Sequence, residues 1–188
     1  PTVLCGQLEG HPYRDVFSTV YSDDEEGGHF AALAMKERGR KDIVAVLGPQ
    51  DNPAVVDRLR GYRAVLGEDL PDANVIYTGW NNGDGYQAMH QILAREIAFD
   101  GVLCGSDRIA AGVITALNEA GLSVPADVSV VGFDDHEIAT RCVPALTTVR
   151  QPLREEGHMA ANIALDMIKG AEPTTSVMHM QLIQRDSL

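Results

Sequence analysis

Four short runs rich in Val, Ile and Leu, "DIVAVLG" (42–48), "NVIYTG" (74–79), "DGVLCG" (100–105) and "VSVVGF" (128–133), recur along the middle of the chain with helical stretches between them. They have no consistent polar face. A strand that is apolar on both sides must be covered on both sides, and parallel neighbours need a helix-length crossover between them. The alternation therefore predicts an α/β fold with parallel sheets flanked by helices.

The intervening stretches carry start and stop signals. Ser22 or Asp23 is placed to cap a helix over about 24–38, with Glu26 in position for a capping box and Gly39 as its stop. Asn52 caps the next helix, Pro53 takes its first position, and Val55, Val56, Leu59, Tyr62, Val65 and Leu66 mark its buried stripe. Further helices are expected over about 84–97, 107–120 and 153–168, and further strands at 2–6, 17–21, 146–152 and 177–185.

The lengths do not balance. Residues 22–150 supply enough βα units for a complete lobe, whereas 1–21 and 151–176 supply two strands and one long helix, too little to cover a sheet. The expected division is 1–21 in an N-terminal lobe, 22–150 in a C-terminal lobe, 151–176 returning to the first, and 177–188 as a final strand and tail on the second. The chain begins at Pro1 without a methionine, so a piece of a longer protein, with an incomplete N-terminal lobe, is expected.

In an open parallel sheet, ligands bind beyond the carboxyl ends of the strands. "GFDD" delivers Asp134 and Asp135 there. A carboxylate accepts several hydrogen bonds, so it can clamp vicinal sugar hydroxyls or a ring N–H. The plainer alternative is that one Asp, Asp135 before Asp134, shapes the following turn. Arg58, early in the helix after 42–48, offers a planar fork of donors, against the alternative of a solvated surface arginine. "CGSD" sets Ser106 and Asp107 at another strand end, where either residue commonly caps a helix. "TGWN" puts the single tryptophan, Trp80, just past a strand, where an indole stacks on a sugar face or a base unless it joins the core.

Several classes are disfavoured. A net charge of -12 and a pI of about 4.8 give these residues no purchase on a phosphate backbone. No G-x-x-x-x-G-K-[ST] or strand-linked G-x-G-x-x-G supplies a phosphate cradle, no H-x-x-x-H pair a metal site, and no G-x-S-x-G a nucleophile. Cys5, Cys104 and Cys142 form no C-x-x-C and fit reduced thiols in a cytoplasm. No run approaches the ~20 apolar residues of a membrane span. The expectation is a protein that is not an enzyme and needs neither cofactor nor metal.

The string "SDRIAAGVITALNEAGLSVPADVSVVGFDDHEIATRCVPALTTVRQP" (106–152) resembles the C-terminal half of LacI/GalR-type transcription regulators. "SVVGFDD", then "P-x-LTTVRQP", then the closing R-D-S follow that family's order. Upstream, "RLRGYRAVL" (58–66) resembles its R-x-x-G-[YFW] segment, and "YSDDEEGGHFAALAMKERGRKDIVAVLG" (21–48) its D-x-x-x-G…L…G…I-x-x-I-x-G pattern.

The resemblance implies a two-lobed, periplasmic-binding-protein-like effector domain with a small ligand between the lobes. It also implies a homodimer that reads operator DNA through an N-terminal helix-turn-helix lying outside these residues. Carried over by position, Arg58, Trp80, Ser106, Asp134 and Gln151 are ligand-facing, with Gln151 at a crossover where it can sense closure. The helix over 107–120 and the 136–143 loop would meet the dimer partner, unless apolar residues such as Ile109 and Val113 belong to the core. Ser106 stands where the family often has Asn, and the loop "GQLEGHPYRD" (6–15) matches no sub-group. The function implied is cytoplasmic sensing of a sugar, sugar phosphate or purine-like metabolite that alters operator affinity. The rivals are a periplasmic-type sugar carrier and a sugar-processing enzyme using the Asp pair.

Overall fold

A computed structural model describes residues 1–7, 16–95 and 97–188. In chain order the first elements are β1 (Val3–Cys5), β2 (Ser18–Ser22), α1 (Asp24–Glu37), β3 (Ile43–Leu47), α2 (Pro53–Leu66), β4 (Val75–Tyr77) and α3 (Asn82–Leu93). They are followed by β5 (Gly101–Cys104), α4 (Asp107–Glu119), β6 (Ser129–Asp134), β7 (Thr147–Arg150), α5 (Leu153–Ile168), β8 (Thr175–Met178) and β9 (Gln181–Ile183). The chain forms two compact units, Pro1–Asp23 with Gln151–Met180, and Asp24–Arg150 with Gln181–Leu188.

In the smaller unit, β2 lies between β1 and β8, all parallel, with Leu4 opposite Thr19 and Val20 opposite Ser176. Helix α5 packs on β1 and β2. Polar bonds fix it along its length: Ser22 Oγ donates to the Glu156 carboxylate at 3.1 Å, and Ser18 Oγ donates to Met167 Sδ at 3.1 Å. Its other side exposes Leu153, Leu165 and Ile168.

In the larger unit the strand order is β4-β3-β5-β6-β7-β9, parallel except for β9, which runs antiparallel to β7. Successive side chains of a strand point to opposite faces. Val44, Val46, Val102, Cys104 and Val130 accordingly join Met89 and Ile92 of α3 and Ile109, Val113 and Leu117 of α4 in one buried cluster. Ile43, Ala45 and Leu47 point the other way and are equally buried, on the side where α1 contributes Met35 and α2 Tyr62. Helices α1 and α2 approach closely through glycines. A Cβ on Gly61 would fall 2.1 Å from the Glu25 carbonyl oxygen, and one on Gly28 would fall 2.3 Å from that of Arg58. The glycine of the R-x-x-G-[YFW] segment is thus what sets Arg58 against the start of α1.

Local differences from expectation have local causes. Val56 faces solvent and Val65 is only half-buried, so the fully buried stripe of α2 narrows to Val55, Leu59, Tyr62 and Leu66. Helix α3 starts at Asn82, not 84, because Asn81 and Asp84 form a reciprocal capping box. The expected extension of α3 to 97 includes residue 96, which, like 8–15 of the unmatched loop, lies outside the described residues. The single strand expected over 177–185 is two: β8 pairs with β2 and β9 with β7. Alternation continues across the break, and only pairing partners reveal it.

Candidate functional site

Four strand ends of the larger unit meet at one place. Arg58, on the second turn of α2, is only 4% exposed, so it is a buried cation and not a solvated one. Its Nε donates to Asp24 Oδ1 at 2.7 Å, its Nη1 donates to the Gly105 carbonyl after β5, and Nη1 lies 3.8 Å from Asp134 Oδ1 at the end of β6. The guanidinium carbon sits 3.7 Å above the Phe133 ring, a cation–π contact in a desolvated setting.

Asp134 and Asp135 both have positive φ, 107° and 56°. For residues with a side chain this costs on the order of 1–3 kcal/mol each and persists only where the surroundings enforce it. The enforcing contacts are specific. Asp135 accepts from Arg150 Nε at 2.7 Å and Arg185 Nη2 at 2.5 Å, and its own N–H donates to Thr148 Oγ1 at 3.4 Å. The His136 N–H donates to Asp107 Oδ2 at 2.7 Å, and Thr148 Oγ1 donates to Asp107 Oδ1 at 2.5 Å. Asp135 is thereby a structural anchor, and Asp134, with a side chain 34% exposed, is the carboxylate presented outward.

Two carboxyls that hold this turn, Asp107 of α4 and Asp135, are shifted in opposite directions. Burial pushes Asp107 up to about 7, with the charges of Asp134 and Asp135 adding to the rise and the bonds from Thr148 and His136 opposing it. Burial acts the same way on Asp135, but hydrogen bonds from Arg185 and Arg150 outweigh it and hold that carboxyl below the ordinary range. Burial also raises the Cys104 and Cys142 thiols, which disfavours the nucleophilic thiolate.

Ser106 is buried, and its Oγ accepts the Ile109 N–H at 3.2 Å, so the hydroxyl caps α4. Trp80 is partly buried against the core cluster, with its indole laid over Gly48 at the end of β3, where a Cβ would come within 2.4 Å of the ring. Gly48 in turn adjoins Gly105, so the positions of Trp80, Ser106, Arg58 and Asp134 form a connected set. Gln151 belongs to the smaller unit, directly after β7, and its carbonyl accepts the Leu153 N–H at 2.9 Å. Ile109 and Val113 are fully buried core residues. Sequence reasoning did not single out Asp24 as the partner of Arg58, nor Arg185 as a clamp on Asp135. The acidic first turn of α1 and the arginine of R-D-S were the available signals.

Residues 32–188 match the model of the family described as periplasmic binding protein-like domain. The HTH-type transcriptional repressor PurR of Escherichia fergusonii is 36% identical over 184 residues, covering 95% of this chain, and the chain spans 54% of that relative's length. A solved complex of the transcriptional regulator CelR with cellobiose is 34% identical with a TM-score of 0.93, covering 100% of this chain and 59% of that one. A LacI family regulator from Enterococcus faecalis with bound ribose is 26% identical with a TM-score of 0.86, covering 98% and 76%. The chain belongs to the periplasmic binding protein-like domain family, in the form that LacI-type regulators use as their effector-binding domain.

Proposed function

We propose that a sugar-like metabolite binds where Arg58, Trp80, Ser106 and Asp134 converge, and that binding alters the operator affinity of the whole regulator. The observation that carries this reading is the outward Asp134 carboxylate on a strained turn 3.8 Å from the buried Arg58 guanidinium. Strain of this kind is kept where a side chain must be aimed. Regulators of similar fold have been solved with ribose and cellobiose, and Trp80 offers the apolar ring face that sugars stack on.

No catalytic step is required. Differential affinity for two conformations, typically ~1–3 kcal/mol, shifts DNA binding about 5–150-fold. The DNA contact comes from a helix-turn-helix outside these residues, as the charge of -12 favours. The regulator works in the cytoplasm as a homodimer. With Ile109 and Val113 in the core, the dimer surface on α4 and the 136–143 loop comprises outward residues such as Arg108, Thr115 and Val143.

Titration of the intact protein with neutral sugars, followed by Trp80 fluorescence and by thermal shift, tests the site. Asp134→Asn should weaken binding about 10–150-fold, the worth of a hydrogen bond to a charged group. Arg58→Ala should do the same, with its ligand-free melting temperature measured alongside because Arg58 is buried. A sugar bound equally well by both variants and the wild type would rule the assignment out.

A further inference from the structure

We propose that Asp24 is a specificity residue: by occupying Arg58 it makes this site reject anions, so the effector is an uncharged, hydroxyl-rich molecule and not a phosphorylated or carboxylated one. This rests on the site assigned above. A guanidinium at a strand-end site is the group that a phosphate or carboxylate would seek, through two parallel N–H donors. Here Nε is held by Asp24 at 2.7 Å, Nη1 by the Gly105 carbonyl, and Asp134 stands at 3.8 Å. One positive charge therefore meets two carboxylates before any ligand arrives.

The other device that captures phosphate, the exposed N–H groups of a helix N-terminus, is partly taken up by side-chain caps on α2, α3 and α4. Asn52 Oδ1 accepts the Ala54 and Val55 N–H groups at the start of α2. Asn81 Oδ1 accepts the Asp84 N–H at the start of α3, and Ser106 Oγ accepts the Ile109 N–H at the start of α4. The first turns of α3 and α4 also carry Asp84 and Asp107. An entering phosphate, at about −1.5 to −2, would either break the pair between Asp24 and Arg58 or sit beside two like charges. A hydroxyl faces neither cost, since it can donate to Asp134 without bringing charge.

The test titrates the intact protein with D-ribose, D-glucose and cellobiose, and with ribose 5-phosphate, glucose 6-phosphate and glucuronate. The expected result is binding of an uncharged sugar with its charged counterpart at least about 100-fold weaker. Asp24→Asn, which keeps an acceptor for Arg58 Nε but removes the charge, should narrow that gap about tenfold. Asp24→Glu should preserve it, which separates the effect of charge from damage to the fold. A charged counterpart that binds wild type as well as the sugar does overturns this inference and leaves the proposed site standing. An unchanged gap in Asp24→Asn overturns the role of Asp24. If none of these sugars, charged or uncharged, binds, the sugar reading itself falls and this inference falls with it.

Discussion

Asp107 Oδ1 lies so close to β6 that a Cβ on Gly132 would stand 2.3 Å from it. The glycine in "SVVGFDD" is therefore what admits a buried carboxylate beside the strand, and from there Asp107 takes the Thr148 hydroxyl and the His136 N–H that fix the Asp134–Asp135 turn. The run of apolar residues ending in two acids is a strand built to hold one acid rigid and aim the other.

Gly132→Ala should destabilise the larger unit by about 1–3 kcal/mol, the cost of overpacking a core. The added methyl would meet the Asp107 carboxylate and, at 2.7 Å, a methyl of Leu146. Urea denaturation reads this directly, and a midpoint equal to that of wild type would contradict the geometry.

Asp107 should make stability fall as pH rises through the acid to neutral range. Its carboxyl is pushed up to about 7 in the fold, while the unfolded chain loses that proton near pH 4. Between those values the folded state binds the extra proton, so its contribution is present at the acidic end and is lost as pH rises toward about 7. Asp135 runs the other way, since its lowered pKa adds stability above the ordinary carboxylate range that is lost on acidification. Comparing wild type with Asp107→Asn at about pH 5 and about pH 7.5 isolates the first effect. The advantage of wild type over the variant should shrink at the higher pH, and a constant difference would show that Asp107 is not shifted.

The two arginines on Asp135 should not be equivalent. Arg185 is 17% exposed and also donates to the Leu146 carbonyl at 2.8 Å, whereas the Arg150 side chain is 49% exposed. Arg185→Ala should cost on the order of 2–3 kcal/mol, because it leaves a mostly buried carboxylate short of its better partner. Arg150→Ala should cost less than about 1 kcal/mol, as exposed pairs do. Equal losses in equilibrium denaturation would refute this ranking.

The same anchoring explains the R-D-S tail. Asp186 N–H donates to the Ala145 carbonyl, while Ser187 Oγ donates to the Val130 carbonyl at 2.6 Å and accepts the Thr147 N–H at 2.8 Å. Residues after β9 thus stitch β6 to the start of β7.

By itself the sequence determined the parallel sheet, its covering helices and the strand ends at which Arg58, Trp80, Ser106 and Asp134 stand. Those follow from side-chain periodicity and from capping and turn chemistry, which act within a few residues of one another. Tertiary structure alone decided that Asp24 pairs with Arg58, that Val56 faces out, and that 177–185 divides between two sheets. Each of these depends on which distant element lies alongside. A charge's partner and a strand's neighbour are set by crossover and register, and a local pattern of apolar and polar residues is the same whichever partner arrives.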